Sequence, residues 1–205
     1  MYITIEGVIG AGKSTLTGYL ANEFNYLQVL EMVDDNPYLK KFYDNRDKWA
    51  FQTEMFFLAN RYTQSYSLRQ SYLNSNFDVI SDYHIDKNLL FAKNTLKHDD
   101  YIKFREVFHI LTDEIREPDL IVYLSATLPT IKKRINIRGR EYEMYIDDEY
   151  LLGMMDIYDQ YIQNILELTP DKVLVIDSNK YDFVNNMEDR AEVISLINDR
   201  VQSIK

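Results

Sequence analysis

The segment GVIGAGKS, Gly7 to Ser14, stands directly between an apolar run, YITIE, and a stretch of helical spacing, STLTGYLANEF. It satisfies G-x-x-x-x-G-K-[ST], and few sequence features restrict a fold so tightly. The pattern needs a strand to deliver the chain and a turn whose glycines let successive N–H groups face one anion. It also needs a helix whose N-terminus adds partial positive charge. Lys13 then reaches the outer phosphates of a nucleotide, and Ser14 offers a hydroxyl to a divalent cation. Gly7, Gly10, Ala11, Gly12 and Thr15 complete the predicted phosphate cradle. A Gly-rich turn with a chance Lys-Ser is the plain alternative, and the flanking strand and helix patterns argue against it.

The rest of the chain fits a sheet built around that loop. Short apolar runs at 2–6, 27–31, 77–82, 119–125 and 172–177 read as strands. Several lack clean alternation, as strands buried on both faces of a parallel sheet do. Long segments of helical spacing lie between them, which predicts an α/β fold with helices on both sides of a five-stranded parallel sheet. Pro37 and Pro129 fall near helix starts, and Pro118 and Pro170 just before strands. With no repeats and no linker, the 205 residues read as one domain, 1–205. A formal net charge of -10 repels polyanions, so a nucleic-acid polymer is not an expected partner. Cysteine is absent, which excludes disulfides, thiolate metal sites and a Cys nucleophile. No apolar run reaches membrane-spanning length and no signal-peptide pattern precedes the first strand, so a cytoplasmic protein without a membrane partner is expected.

A phosphate loop alone does not choose between a GTPase, a mechanical ATPase and a kinase. NKYD, 179–182, resembles the N-K-x-D that reads guanine in GTPases, but no glycine of this chain has an Asp three residues before it, so the companion D-x-x-G is missing. Arg134, Arg138 and Arg140 fall within seven residues of an otherwise acidic chain. Phosphoryl transfer needs positive charge on the equatorial oxygens of the moving group, and an arginine-rich lid at about 134–146 would supply it while excluding water. A solvated, salt-bridged helix end is the competing account.

These pieces together resemble the deoxyribonucleoside kinase family over nearly the whole chain, and most of all its bacterial members for deoxyguanosine and deoxyadenosine. The resemblance is carried by the phosphate loop, Glu31 at the end of the second strand, and RDKWAF with Tyr43 six residues before the Trp. It continues through the acidic end of FDVISD, LFAKN, and R-x-x-x-R-G-R-x-x-E over 134–143. It implies that Glu31 accepts the proton of a sugar 5′-OH attacking the γ-phosphate of ATP, and that Asp82 and Ser14 hold Mg²⁺. Tyr43 and Glu143 would bond the 3′-OH, and Phe91 would stack on the base. Asn179, Lys180, Tyr181 and Phe183, in DSNKYDF, would flank the donor adenine beside Arg138 and Arg140. A homodimer built on an apolar-faced helix over 88–116 is implied, or a hetero-oligomer with a dedicated partner subunit. One departure stands out: many members carry Asp/Glu-Arg-Ser where this chain reads Asp82-Tyr83-His84, so the arginine near the 5′-oxygen is missing.

Specificity rests on WAFQTEMFFLANR, a helical run that puts Glu54 on the same face as Phe57, Leu58 and Arg61. Many relatives have Gln at the position of Glu54, where it reads the base. Arg61 matches the family's arginine at the base edge, two helical turns or about 10 Å along the axis from Glu54. An ionised carboxylate offers two acceptors to the N1–H and N2–H₂ of guanine, whereas adenine turns a lone pair towards it. Asn88 matches another base-contacting polar residue of the family. The expected reaction is therefore transfer of the ATP γ-phosphate to the 5′-OH of deoxyguanosine. Deoxyadenosine, or purine deoxynucleosides more broadly, is the alternative acceptor, and a non-catalytic nucleotide-binding module is the reading from another class.

Overall fold

The computed structural model describes residues 1–74 and 77–204. Five strands, β1 (Tyr2–Glu6), β2 (Leu27–Val29), β3 (Val79–Ser81), β4 (Leu120–Ser125) and β5 (Val173–Asp177), form one parallel sheet in the order β2-β3-β1-β4-β5. Ile3 aligns with Ile80 on one side and Leu120 on the other. Ile3, Ile5, Ile80, Leu120, Val122 and Leu124 are all fully buried, as the unbroken apolar runs require of strands covered on both faces. The chain leaves β1 towards one edge of the sheet and β3 towards the other. That reversal opens a crevice beyond the carboxyl ends of β1 and β3, where open α/β sheets place ligands.

The covering helices are α1 (Lys13–Phe24), α2 (Leu39–Asp44), α3 (Arg46–Asn74), α4 (Lys87–Thr95), α5 (His98–Thr112), α6 (Leu128–Arg138), α7 (Asp148–Leu168) and α8 (Met187–Ile204). The N-cap of α7 is Asp147, whose carboxylate accepts from Tyr150 N at 2.7 Å. Its buried stripe of Tyr150, Leu151, Met154, Ile157, Tyr158 and Ile162 follows the 3.6-residue period onto the core. Pro129 lies in the first turn of α6, and Gly139 closes the helix in the left-handed region. Among the described residues no helix is long and apolar enough to cross a membrane.

Three sequence expectations shift. The second strand stops at Val29, so Glu31 lies two residues beyond it, with its N–H donated to Asp82 Oδ1 at 2.8 Å instead of to the ladder. The third strand is only Val79–Ser81, leaving Asp82 just past its end. The helix expected over 88–116 is two helices, because Leu96 and Lys97 are extended (ψ 145 and 154) before Asp99 and Asp100 open α5 with favourable charge.

A carboxylate sits inside the core at the end of β1. Glu6 is 2% exposed, its Oε1 accepting from His84 N at 2.5 Å and its Oε2 from Tyr158 OH at 3.0 Å. Burial raises its pKa, with Lys87 the largest charge opposing the rise. The chain then turns sharply at Gly7, with φ at +148 and an added Cβ only 2.8 Å from the Leu124 carbonyl oxygen. Gly7→Ala is expected to destabilise the protein by about 1–3 kcal/mol through strain and steric conflict. Urea unfolding of the two proteins measures it.

Candidate active site

The loop after β1 is closed by its neighbours more than by itself. Arg134, on α6, donates to Ala11 O at 3.0 Å and to Ser178 O at 2.8 Å, tying the Gly7–Gly12 turn to the segment after β5. Phe183, fully buried, lies against Gly12, where a Cβ would meet its Cζ at 2.9 Å, so only hydrogen fits. Asn179 Oδ1 accepts from Thr127 N and Oγ1 at 3.0 and 3.1 Å, and Lys180 Nζ donates to Tyr181 OH at 2.5 Å. The 178–183 segment therefore borders the loop. Lys13 Nζ curls back to Val8 O at 2.9 Å. Burial, then the positive charge of Lys87, lower its pKa to about 8. Ser14 Oγ donates to Asp82 Oδ2 at 2.5 Å, setting two hard oxygens side by side at the loop's mouth. Thr15 is exposed one residue further along α1.

Across the cleft, Glu31 is clamped. Its Oε1 accepts from Arg61 Nε at 2.8 Å and also from Arg61 Nη2, while Oε2 accepts from Lys87 Nζ at 2.5 Å. Arg61 in turn gives Nη1 to Asn88 Oδ1. Burial alone would raise the Glu31 carboxyl, but the charges and hydrogen bonds of Arg61 and Lys87 outweigh it and hold the group far below the usual carboxylate range.

Glu54 shows the opposite balance. It is 2% exposed, Oε1 lies 3.0 Å from the Thr95 hydroxyl, and Oε2 is buried with no partner. Thr95 has one hydrogen, and the Phe91 carbonyl competes for it at 2.9 Å. Burial raises the Glu54 pKa to about 7, with Arg61 the strongest opposing charge. An orphaned buried acceptor costs about 1–3 kcal/mol unless a ligand satisfies it.

The cleft wall nearest the arginines is equally ordered. Glu143, 4% exposed, accepts from Arg138 Nε at 2.9 Å and Nη2 at 2.5 Å, and Arg140 Nη1 lies 3.5 Å from its other oxygen. Arg140 also reaches Asp34, as does the Tyr142 hydroxyl at 2.6 Å. Tyr142 stacks on Tyr43 with ring centroids 6.0 Å apart. Phe91 meets Tyr158 edge-on, centroids 6.5 Å apart. Lys13, Ser14, Glu31, Tyr43, Glu54, Arg61, Asp82, Phe91, Arg138, Arg140 and Glu143 thus line one cleft, while Asn88, fully buried, stands outside its lining.

Some geometry departs from the sequence reading. Arg61 is engaged by Glu31 and Asn88, not poised opposite Glu54. Arg134 is pinned under the loop by two carbonyls instead of standing free in a lid. Tyr83 and His84 both turn away from the cleft. The Tyr83 hydroxyl bonds Gln64, and His84 pairs with Asp86 at 3.5 Å. Two residues were overlooked, Lys87 and Thr95. Both were within reach, because Lys87, Phe91 and Thr95 recur at i, i+4 and i+8 on α4 and so share its face.

Glu54→Gln is expected to stabilise the protein by about 1–3 kcal/mol at pH 8 and to change little at pH 5. The folded protein keeps a proton to about 7 that an ordinary glutamate, near 4.5, has lost. Stability therefore falls as pH climbs through that interval, and the amide removes the penalty. Thermal unfolding at the two pH values checks it.

A family model described as deoxynucleoside kinase matches residues 3–202. The chain is 43% identical over 189 residues to a deoxyguanosine kinase of Bacillus subtilis (strain 168), covering 92% of this chain and 91% of that protein. It is 31% identical over 201 residues to a deoxyadenosine/deoxycytidine kinase of the same organism, covering 95% and 90%. The structure of a deoxyadenosine kinase from M. mycoides, with products dCMP and a flexible dCDP bound, matches with a TM-score of 0.81 at 25% identity over 100% of both chains. Sheet, cleft and sequence agree: the chain belongs to the deoxynucleoside kinase family and is an ATP-dependent deoxyribonucleoside kinase.

Proposed function

We propose that this kinase phosphorylates the 5′-hydroxyl of purine 2′-deoxynucleosides and prefers guanine while Glu54 is ionised. The observation that carries the reading is the unpartnered Glu54 Oε2, buried in the cleft. Guanine brings two adjacent N–H donors to a carboxylate. Adenine needs one donor and one acceptor, which a carboxylic acid or an amide provides. With Glu54 near 7, both forms are accessible at working pH, so deoxyadenosine is a second acceptor instead of an excluded one. The 43% identity to a deoxyguanosine kinase and the 31% identity to a deoxyadenosine/deoxycytidine kinase support the same pairing.

The roles proposed for the cleft residues are those the family resemblance implies. Gly7 to Ser14 act as a P-loop, with Lys13 on the donor phosphates; Arg134 holds that loop in place, and Arg138 and Arg140, within the 134–146 segment, face the transferred group as an arginine-rich lid. Residues 179–183 flank the donor adenine. Ser14 Oγ and Asp82 Oδ2, joined here by a hydrogen bond, are hard oxygens of the kind Mg²⁺ takes. When bound there, the ion neutralises charge on the β- and γ-phosphates. Glu31 accepts the 5′-OH proton, Tyr43 and Glu143 bond the 3′-OH and crowd a 2′-OH, Phe91 stacks on the base, and Asn88 acts through Arg61, which it holds from behind.

An acceptor screen with deoxyguanosine, deoxyinosine, deoxyadenosine and deoxycytidine at pH 6 and pH 8 tests this. The kcat/KM ratio of deoxyguanosine to deoxyadenosine is expected to rise roughly tenfold between the two pH values, because a bidentate match discriminates by about 1–3 kcal/mol and exists only for the ionised form. Deoxyinosine, lacking the amine, should fall below deoxyguanosine. Glu54→Gln should favour deoxyadenosine at both pH values. A ratio unmoved by pH and by the substitution rejects Glu54 as the base reader.

A further inference from the structure

A second buried ammonium faces Lys13 from the acceptor side of the cleft, and none of the roles above uses it. Lys87 is 5% exposed, and its Nζ lies 2.5 Å from Glu31 Oε2 and 5.3 Å from the centroid of the Phe91 ring. It is the first residue of α4, where the helix dipole disfavours a cation. Burial disfavours it again. Lys87 also offsets the charge of buried Glu6, but its hydrogen bond goes to Glu31, whose Oε1 already receives one full positive charge and two N–H groups from Arg61. A lysine held in a doubly unfavourable place, aimed at the one oxygen Arg61 leaves free, points to chemistry more than to stability.

We propose that Lys87 is a positioning residue for phosphoryl transfer, holding Glu31 Oε2 towards the acceptor hydroxyl. In the transfer, the 5′-oxygen forms a bond to the γ-phosphorus and the bond from that phosphorus to the β,γ-bridging oxygen breaks, releasing ADP. The hydroxyl proton passes to Glu31 Oε2 and from there to water. Arg61 fixes Oε1 and is itself fixed by Asn88, so the carboxylate plane is set by the pair. Lys87 has three N–H groups. One keeps its contact with Oε2 while the incoming hydroxyl takes the other side of that oxygen. This inference rests on Glu31 as proton acceptor.

The test is a double-mutant cycle on the full-length enzyme with ATP and its fastest purine acceptor. Lys87→Met is expected to lower the single-turnover rate about 100-fold, the scale of a misplaced proton acceptor, with equilibrium binding of the nucleoside and KM for ATP held within about threefold. Lys87→Arg should recover about tenfold or more of that loss. In a Glu31→Gln background Lys87→Met should cost less than about threefold, because the group it positions is gone. The idea is overturned if Lys87→Met keeps the wild-type rate, loses nucleoside binding in step with rate, or costs the full factor in the Glu31→Gln background. Should Lys87→Met not fold, Lys87→Gln takes its place in the same cycle. Glu31→Gln at the wild-type rate would overturn the reading of Glu31 and this one with it. A slow Glu31→Gln beside an unimpaired Lys87→Met overturns this one alone.

Discussion

A carboxylate taken out of water stays charged only if cations replace the solvent, and Glu31 has two. Arg61 comes from α3 and Lys87 from α4, and the Glu31 backbone is anchored to Asp82 beyond β3. Three separate parts of the chain therefore meet at one residue, two at its side chain and one at its backbone. Glu54 shows what happens with no cation in contact. It lies on the same helix as Arg61, equally buried, yet has a hydroxyl for company and keeps its proton to about 7. Two carboxyls in one cleft are thus driven in opposite directions by their surroundings, which is how a protein assigns different work to identical groups.

The sheet explains why these groups can meet at all. Strand order reverses beside β1, so the loops after β1 and β3 flank one crevice and bring Ser14 against Asp82. The buried Glu6 stiffens the same place. It joins the end of β1 to the backbone of His84 and to Tyr158 on α7, so the turn into the glycine loop is braced from below. His84 and Tyr83 are occupied by this bracing and by Gln64, which leaves the cleft to Lys87.

Much of this was legible in the sequence. The strand, loop and helix around Gly7–Ser14 were, because glycine spacing and apolar runs are local signals. The first strand was right to the residue, while the second and third end early, where the Glu31 N–H turns to the Asp82 carboxylate, a pairing across 51 residues. The break at Leu96–Lys97 was hidden because helical spacing resumes on the far side. Glu54 was found for its oddity, a charge on an apolar face. That Arg61 pairs with Glu31 was not legible, because the contact joins residues 30 apart on different elements. Lys87 was missed since a lysine near a helix start looks like ordinary surface until the fold buries it.

Arg138 holds Glu143 with two N–H groups, and both side chains line the cleft. A guanidinium carries five N–H groups, so Arg138 keeps three for an anion while it holds Glu143. An anion bound there shares one positive charge with Glu143, and the two negative groups compete for it. Occupancy at either end thereby alters the free energy of filling the other. By thermodynamic linkage, that influence has the same size in both directions.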